Sequence, residues 1–228
     1  MRTKYVVSGL LVALAVVPAA AAQNPNSNKP PGAATTISLD AKPTPVVFGA
    51  ATSLSGRVSG GKSAGVVVRL EQDDTRPYGD SYKPLAGVTA TTAKNGMYAF
   101  AIKPLLNTQY RAIAHSSPPL TSGAKLVLVR TLVGIRVSDR TPRRGSLVRF
   151  SGSVFPAHDG RVVSIQKRSS SGRFTTVARK ALADAGTAKS TYSRRVRVNS
   201  DGVYRVKLPS DGDHTNGFSR LLTLNVGG

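Results

Sequence analysis

The chain has no cysteine and no tryptophan among its 228 residues. Without cysteine there is no disulfide framework, no thiolate zinc site and no lipid-modified N-terminal cysteine, so stability must come from a hydrophobic core. Acids are also scarce. Eleven Asp and Glu stand against 32 Lys and Arg, Glu71 is the one glutamate, and the formal net charge is +21. A chain with that balance seeks polyanions. Long hydrophobic runs are missing too, with one exception at the N-terminus. Arg2 and Lys4 precede an apolar run from Val6 to Val17, followed by Pro18 and the small residues Ala19 to Ala22. This is the pattern of a secretory signal peptide over residues 1–22, with the mature chain starting at Gln23. The run is shorter than the ~20 residues that a membrane span needs, so no transmembrane segment is expected after cleavage. Nothing in the chain sustains a helical period, which leaves an all-β protein.

What is present is a duplication. Tyr98 to Ala114 reads Y-A-F-A-I-K-P-L-L-N-T-Q-Y-R-A-I-A, and Tyr192 to Leu208 reads Y-S-R-R-V-R-V-N-S-D-G-V-Y-R-V-K-L. Overlaid without a gap, Tyr98 meets Tyr192, Ile102 meets Val196, Tyr110 meets Tyr204 and Arg111 meets Arg205. Each copy is an alternating strand, a turn, and a second strand opened by a tyrosine. Upstream, Ile37, Leu39 and Leu54–Val58 in one copy answer Ile135, Val137 and Phe150–Val154 in the other, with Gly56 matching Gly152. The 206 residues after the signal peptide have room for two sandwiches of ~100 residues each.

The paired motifs N-x-x-Y-R-A at Asn107–Ala112 and D-G-V-Y-R-V at Asp201–Val206 resemble the E–F corner of secreted bacterial immunoglobulin-like tandem-repeat proteins. Ala112 and Val206 stand where antibody domains place their second cysteine. The resemblance implies two tandem immunoglobulin-like β-sandwich domains, at 37–129 and 130–228, after a flexible leader at 23–36 rich in proline, asparagine and serine. It also implies that Tyr110 and Tyr204 are structural tyrosine corners whose hydroxyls bond back to the chain just upstream. Only Arg130 to Gly134 separate the copies, which points to a short semi-rigid pair.

Several patterns imitate chemistry. Gly56 to Ser63 satisfies the letters of a P-loop, and Gly61 to Gly65 those of a nucleophile elbow. Both motifs need a helix after the turn, and Ala64 to Leu70 reads as a strand, so both are a turn between strands. The three histidines, His115, His158 and His214, fall in loops or strand ends and form no recognisable triad. The loop Ser210 to His214 offers two carboxylates and an imidazole, short of a calcium shell, while Glu71, Asp73, Asp74 and Asp80 have no ligand spacing. No metal and no cofactor are therefore assigned, and the chain is expected not to be an enzyme.

Charge is unevenly shared. Residues 23–129 carry a net +6 and residues 130–228 a net +13. If Ile135, Val137, Phe150, Val154, Val196 and Val198 point inward, strand parity sends Arg136, Arg149, Arg195 and Arg197 to one outward face. These four are the candidate polyanion-binding residues, for an anionic cell-wall polymer or an acidic polysaccharide. Specific nucleic-acid recognition is not expected, because no aromatic side chain is interleaved among them for base stacking. The acidic loop Glu71 to Asp80 meeting this face on a second copy would permit head-to-tail self-association. The chain thus reads as a secreted, extracellular or wall-associated binding or spacer module. The alternative is an extracellular enzyme accessory or hydrolase with a loop-borne site.

Overall fold

The computed structural model describes residues 33–227, and every regular element among them is a β-strand. The signal segment and most of the leader lie outside the described residues. Two hydrophobic clusters form, one from Ala34 to Val129 and one from Val133 to Leu224. Each is closed between two antiparallel sheets, giving β-sandwiches.

In the first sandwich, strand Thr52–Gly60 pairs with Ala34–Ile37, Asp40–Lys42 and Met97–Ile102. The facing sheet runs Lys125–Val127, Thr108–Ala114, Val67–Asp73, Lys83–Thr91. The first strand begins at Ala34 rather than at Ile37. Ala34 is small enough to enter the core and the β-branched Thr35 and Thr36 favour an extended backbone, so the leader ends earlier than its composition suggested.

In the second sandwich, Ser146–Phe155 pairs along its whole length with Ser190–Val198, flanked by Leu132–Val133, Arg136–Val137 and Ala183–Asp184. The facing sheet runs Phe174–Ala181, Val162–Arg168, Gly202–Leu208, then Gly217–Phe218 and Leu222–Leu224. Alternation decides the core. Val148, Phe150 and Val154 are fully buried while the alternating neighbours Leu147 and Arg149 are exposed. Phe150 lies with its ring 5.2 Å from that of Tyr204, and removing such a side chain costs about 3–5 kcal/mol.

The two copies share a device that the tyrosine-corner reading misplaced. Tyr110 and Tyr204 are buried, but neither hydroxyl bonds to upstream backbone among the described residues. The bond is made by the other tyrosine of each repeat. The Tyr98 hydroxyl donates to the Ser38 carbonyl at 2.5 Å and the Tyr192 hydroxyl to the Gly134 carbonyl at 2.7 Å. Tyr98 lies opposite Gly56 and Tyr192 opposite Gly152. A Cβ on either glycine would collide with both the hydroxyl and the carbonyl it reaches. Glycine is thus the hole through which the tyrosine ties two neighbouring strands. The P-loop-like Gly56 is explained by this contact.

A second device also repeats. Arg111 donates to Glu71 at 2.8 Å and lies over the Tyr82 ring at 4.0 Å. Arg205 donates to Gln166 at 2.9 Å and lies over the Phe174 ring at 3.8 Å. Arg69 holds the other oxygen of Glu71 at 2.9 Å, so this buried carboxylate is shared between two guanidinium groups. Asp73 is fully buried and accepts the amide hydrogens of Gly79, Thr75 and Ser81, which shapes the loop between them. Glu71 and Asp73 are therefore spent inside the first sandwich. Only Asp74 and Asp80 of the four acids remain for a self-association contact.

Candidate functional site

Strand Ser146–Phe155 and strand Ser190–Val198 place the arginines. Arg149 is directly opposite Arg195, Arg197 opposite Leu147, and Arg136 opposite Ser151. All four arginines are exposed and share the outward parity of one sheet. Arg197 is steadied by donating to the Gly145 carbonyl at 2.8 Å. Arg194, at the inward position opposite Phe150, is nonetheless exposed, and the pairing runs through it without a bulge. Its strand has a partner on that side only at Ala183–Asp184, so the side chain escapes past an open edge.

At the Phe155 end of the same face the sheet deepens into an open groove of about 1260 Å³. Five cations line it: Arg130, Arg136, Lys180, Lys189 and Arg220. No carboxylate lines it among the described residues. Arg136 alone belongs to both groups, joining the groove to the arginine ladder of Arg149, Arg195 and Arg197. The ten residues of strand Ser146–Phe155 make that face ~33 Å long. A face of that length meets several successive charges of a polymer. Lys180, Lys189 and Arg220 were absent from the sequence-based set because they come from an edge strand and two loops, where parity says nothing.

A second cluster sits where the sandwiches meet. The loop Ser210–Thr215 is joined to the first sandwich by bonds from Asn107 N to the Asp213 carbonyl (2.7 Å), from Thr215 N to the Val129 carbonyl (2.8 Å) and from Arg76 to the Gly212 carbonyl (3.4 Å). His214 stands between, with Nε2 2.9 Å from the Leu105 carbonyl. Asp211 accepts the amides of His214 (2.6 Å) and Asp213 (2.9 Å) on Oδ1. Its Oδ2 is met by His158 Nε2 at 3.1 Å and by the Arg161 guanidinium. Burial pushes the Asp211 carboxyl up, but the two amides, Arg161 and His158 outweigh it and hold the group below the ordinary carboxylate range. His115 is exposed at the end of strand Thr108–Ala114 and takes no part. The nucleophile-elbow letters at Gly61–Gly65 form a turn, with the Ser63 carbonyl accepting from Thr92 at 2.7 Å.

No family model matches the chain, and no curated protein matches it. Among solved structures, red sea bream transglutaminase is similar at a TM-score of 0.44 and 13% identity. The match covers 85% of this chain and 32% of that one, so the chain spans about a third of that protein's length. That protein is an enzyme, and the expectation that this chain is not one is corrected accordingly and withdrawn. None of that enzyme's chemistry is assigned to residues here. No helix among the described residues is long and apolar enough to cross a membrane.

Proposed function

We propose that this chain is a secreted, surface- or wall-associated binding module of two immunoglobulin-like sandwiches, and that the second holds a linear anionic polymer along its basic face. The observation that carries the reading is the groove itself. Five cations around one open concavity, with no acid among the described lining residues, continue into a ladder of three more arginines on the same sheet. An ordinary solubilising surface intersperses both signs. Segregation of one sign in a concave site focuses the field and raises the local concentration of the opposite charge. Guanidinium forks suit phosphate or carboxylate oxygens, and the ladder lets one polymer make several such contacts at once.

The N-terminal sequence pattern supports an encounter outside the cell, and the ligand class of this proposal is an anionic cell-wall polymer or acidic polysaccharide. Affinity should fall steeply with salt, by ~0.7 in the log–log slope per charge neutralised on a flexible polymer. The test is binding of inorganic polyphosphate and of polygalacturonate across a salt series, with two triple variants. One changes Lys180, Lys189 and Arg220 to Ser, the other Arg149, Arg195 and Arg197 to Ser. Each should lower the slope by about 2 and weaken binding of the same polymer. If both variants keep the wild-type slope, the cations are only surface and the reading fails.

A further inference from the structure

We propose that His158, Asp211 and His214 form a binding site for a zinc-like divalent transition metal at the base of the second sandwich, where it faces the first. The ligating atoms of these three residues all lie within 4.8 Å of one another. Asp211 Oδ2 is 3.1 Å from His158 Nε2, and Asp211 Oδ1 is 3.7 Å from His214 Nδ1. A tetrahedral zinc shell, with bonds of about 2.0–2.1 Å, separates its ligand atoms by about 3.3 Å, so each histidine nitrogen stands near ligand spacing from one oxygen of the carboxylate.

The tautomers are set for it from behind. His158 Nδ1 is 2.8 Å from the Pro156 carbonyl and His214 Nε2 is 2.9 Å from the Leu105 carbonyl. A carbonyl can only accept, so each ring spends its N–H there. The other ring nitrogen of each histidine, with its lone pair, is then turned toward Asp211. In the neutral rings two lone pairs then face one carboxylate, an arrangement that protons satisfy in the metal-free chain and that a metal ion satisfies when it replaces them. A metal-bound histidine that donates its second nitrogen to a carbonyl is the usual outer support of such sites. Asp211 is itself oriented by the two amide hydrogens on Oδ1. Both rings are largely withdrawn from solvent, and they stack edge-to-face at 5.0 Å. A cavity of about 220 Å³, lined in part by Arg76, Asn107, Asp211 and His214, adjoins two of the three ligands.

Arg161 is the competitor, because its guanidinium also meets Asp211 Oδ2. It has other anchors, donating to the Pro209 carbonyl at 3.2 Å and the Ser210 carbonyl at 3.0 Å. It can therefore yield Oδ2 to an ion and remain docked. No cysteine thiolate is available, and two imidazoles with one carboxylate favour zinc, cobalt or nickel over calcium. Loading the ion on His214 Nδ1 also strengthens the Nε2–H donor on the Leu105 carbonyl. Metal bound in the second sandwich thereby tightens its junction with the first.

Calorimetric titration of the purified chain with Zn²⁺, and with Co²⁺ followed by its visible absorption, tests the assignment. One metal per chain is expected, with the Co²⁺ bands of a four- or five-coordinate site. His158→Gln and Asp211→Asn should each weaken binding at least tenfold while circular dichroism shows the fold retained, and His115→Gln should change nothing. Arg161→Gln is the sharper variant. Removing a competing cation should tighten Zn²⁺ binding severalfold, whereas a cluster that is only an ion pair predicts no gain. Amide exchange at Leu105–Asn107 should slow on adding Zn²⁺ to the wild type. Absence of binding by the folded wild type, or unchanged binding in a folded His158→Gln, overturns the proposal.

Discussion

In the first sandwich the outward pair beside the Gly56–Tyr98 contact is Ser53 with Ala101; in the second, the corresponding pair beside Gly152–Tyr192 is Arg149 with Arg195. The inward pairs keep one large apolar core residue each, Leu54 opposite Phe100 in one and Phe150 opposite Arg194 in the other, and differ in that Phe100 is buried while Arg194 reaches out at the edge. The two sandwiches thus share the glycine–tyrosine contact that closes them, while one presents a neutral face and the other a cationic one. Directly opposed like charges cost stability in a sheet. The second sandwich keeps such a pair, and an arginine pair that weakens its own sheet calls for a reason other than folding.

The largest effect should come from the device that the copies share. Gly56→Ala and Gly152→Ala each drive a methyl into a carbonyl and a tyrosine hydroxyl, and each should destabilise by about 1–3 kcal/mol or more in denaturant titration. Unequal costs would show that the two holes are not equivalent. Next in size, Tyr98→Phe and Tyr192→Phe should each lose about 0.5–1.5 kcal/mol. Tyr110→Phe and Tyr204→Phe should lie close to wild type, since their hydroxyls make no such bond.

The arginine pair should behave in the opposite sense. Arg149→Ser should gain about 0.2–1 kcal/mol of stability while lowering affinity for polyphosphate, and Ser53→Arg, which sets an arginine opposite Lys42 in the first sandwich, should cost a similar amount. Gain and loss together would mark the pair as functional, whereas loss of stability would remove that argument.

The smallest effect is a pH dependence from Asp73, a residue with no acid at the corresponding place in the other copy. Amide hydrogens of Gly79, Thr75 and Ser81 outweigh burial and hold the Asp73 carboxyl below its ordinary value, while Arg168 stands at the corresponding place in the second sandwich. A depressed carboxyl stabilises the fold above its unfolded value, near 3.9, and that contribution is lost as pH falls through the lower folded value. Acid unfolding of the wild type should therefore be steeper than that of Asp73→Asn over that window. Identical acid limbs would exclude Asp73 as a source.

Much of the frame was legible in the residues. The alternation of Val148, Phe150 and Val154 and the outward parity of Arg136, Arg149, Arg195 and Arg197 follow from a side-chain period of two. The tyrosine assignment went astray for a definable reason. The motif at Tyr110 and Tyr204 is local, whereas the bond made by Tyr98 and Tyr192 runs to strands 60 and 58 residues away. The signal was available in Gly56 and Gly152, which recur at the same place in both copies with no turn to explain them.

The metal reading was out of reach for a similar reason. Asp211 and His214 share a loop, but His158 arrives from 53 residues upstream and Leu105 from 109. The groove likewise draws Lys180, Lys189 and Arg220 from segments with no common period. By itself the sequence determined the alternation of faces and the sign of the charge, because the first depends on neighbours along one strand and the second on composition alone. The tertiary structure alone decided which carbonyl a tyrosine reaches, which histidine joins Asp211 and which cations share a groove, because closure of the sandwich brings distant loops together.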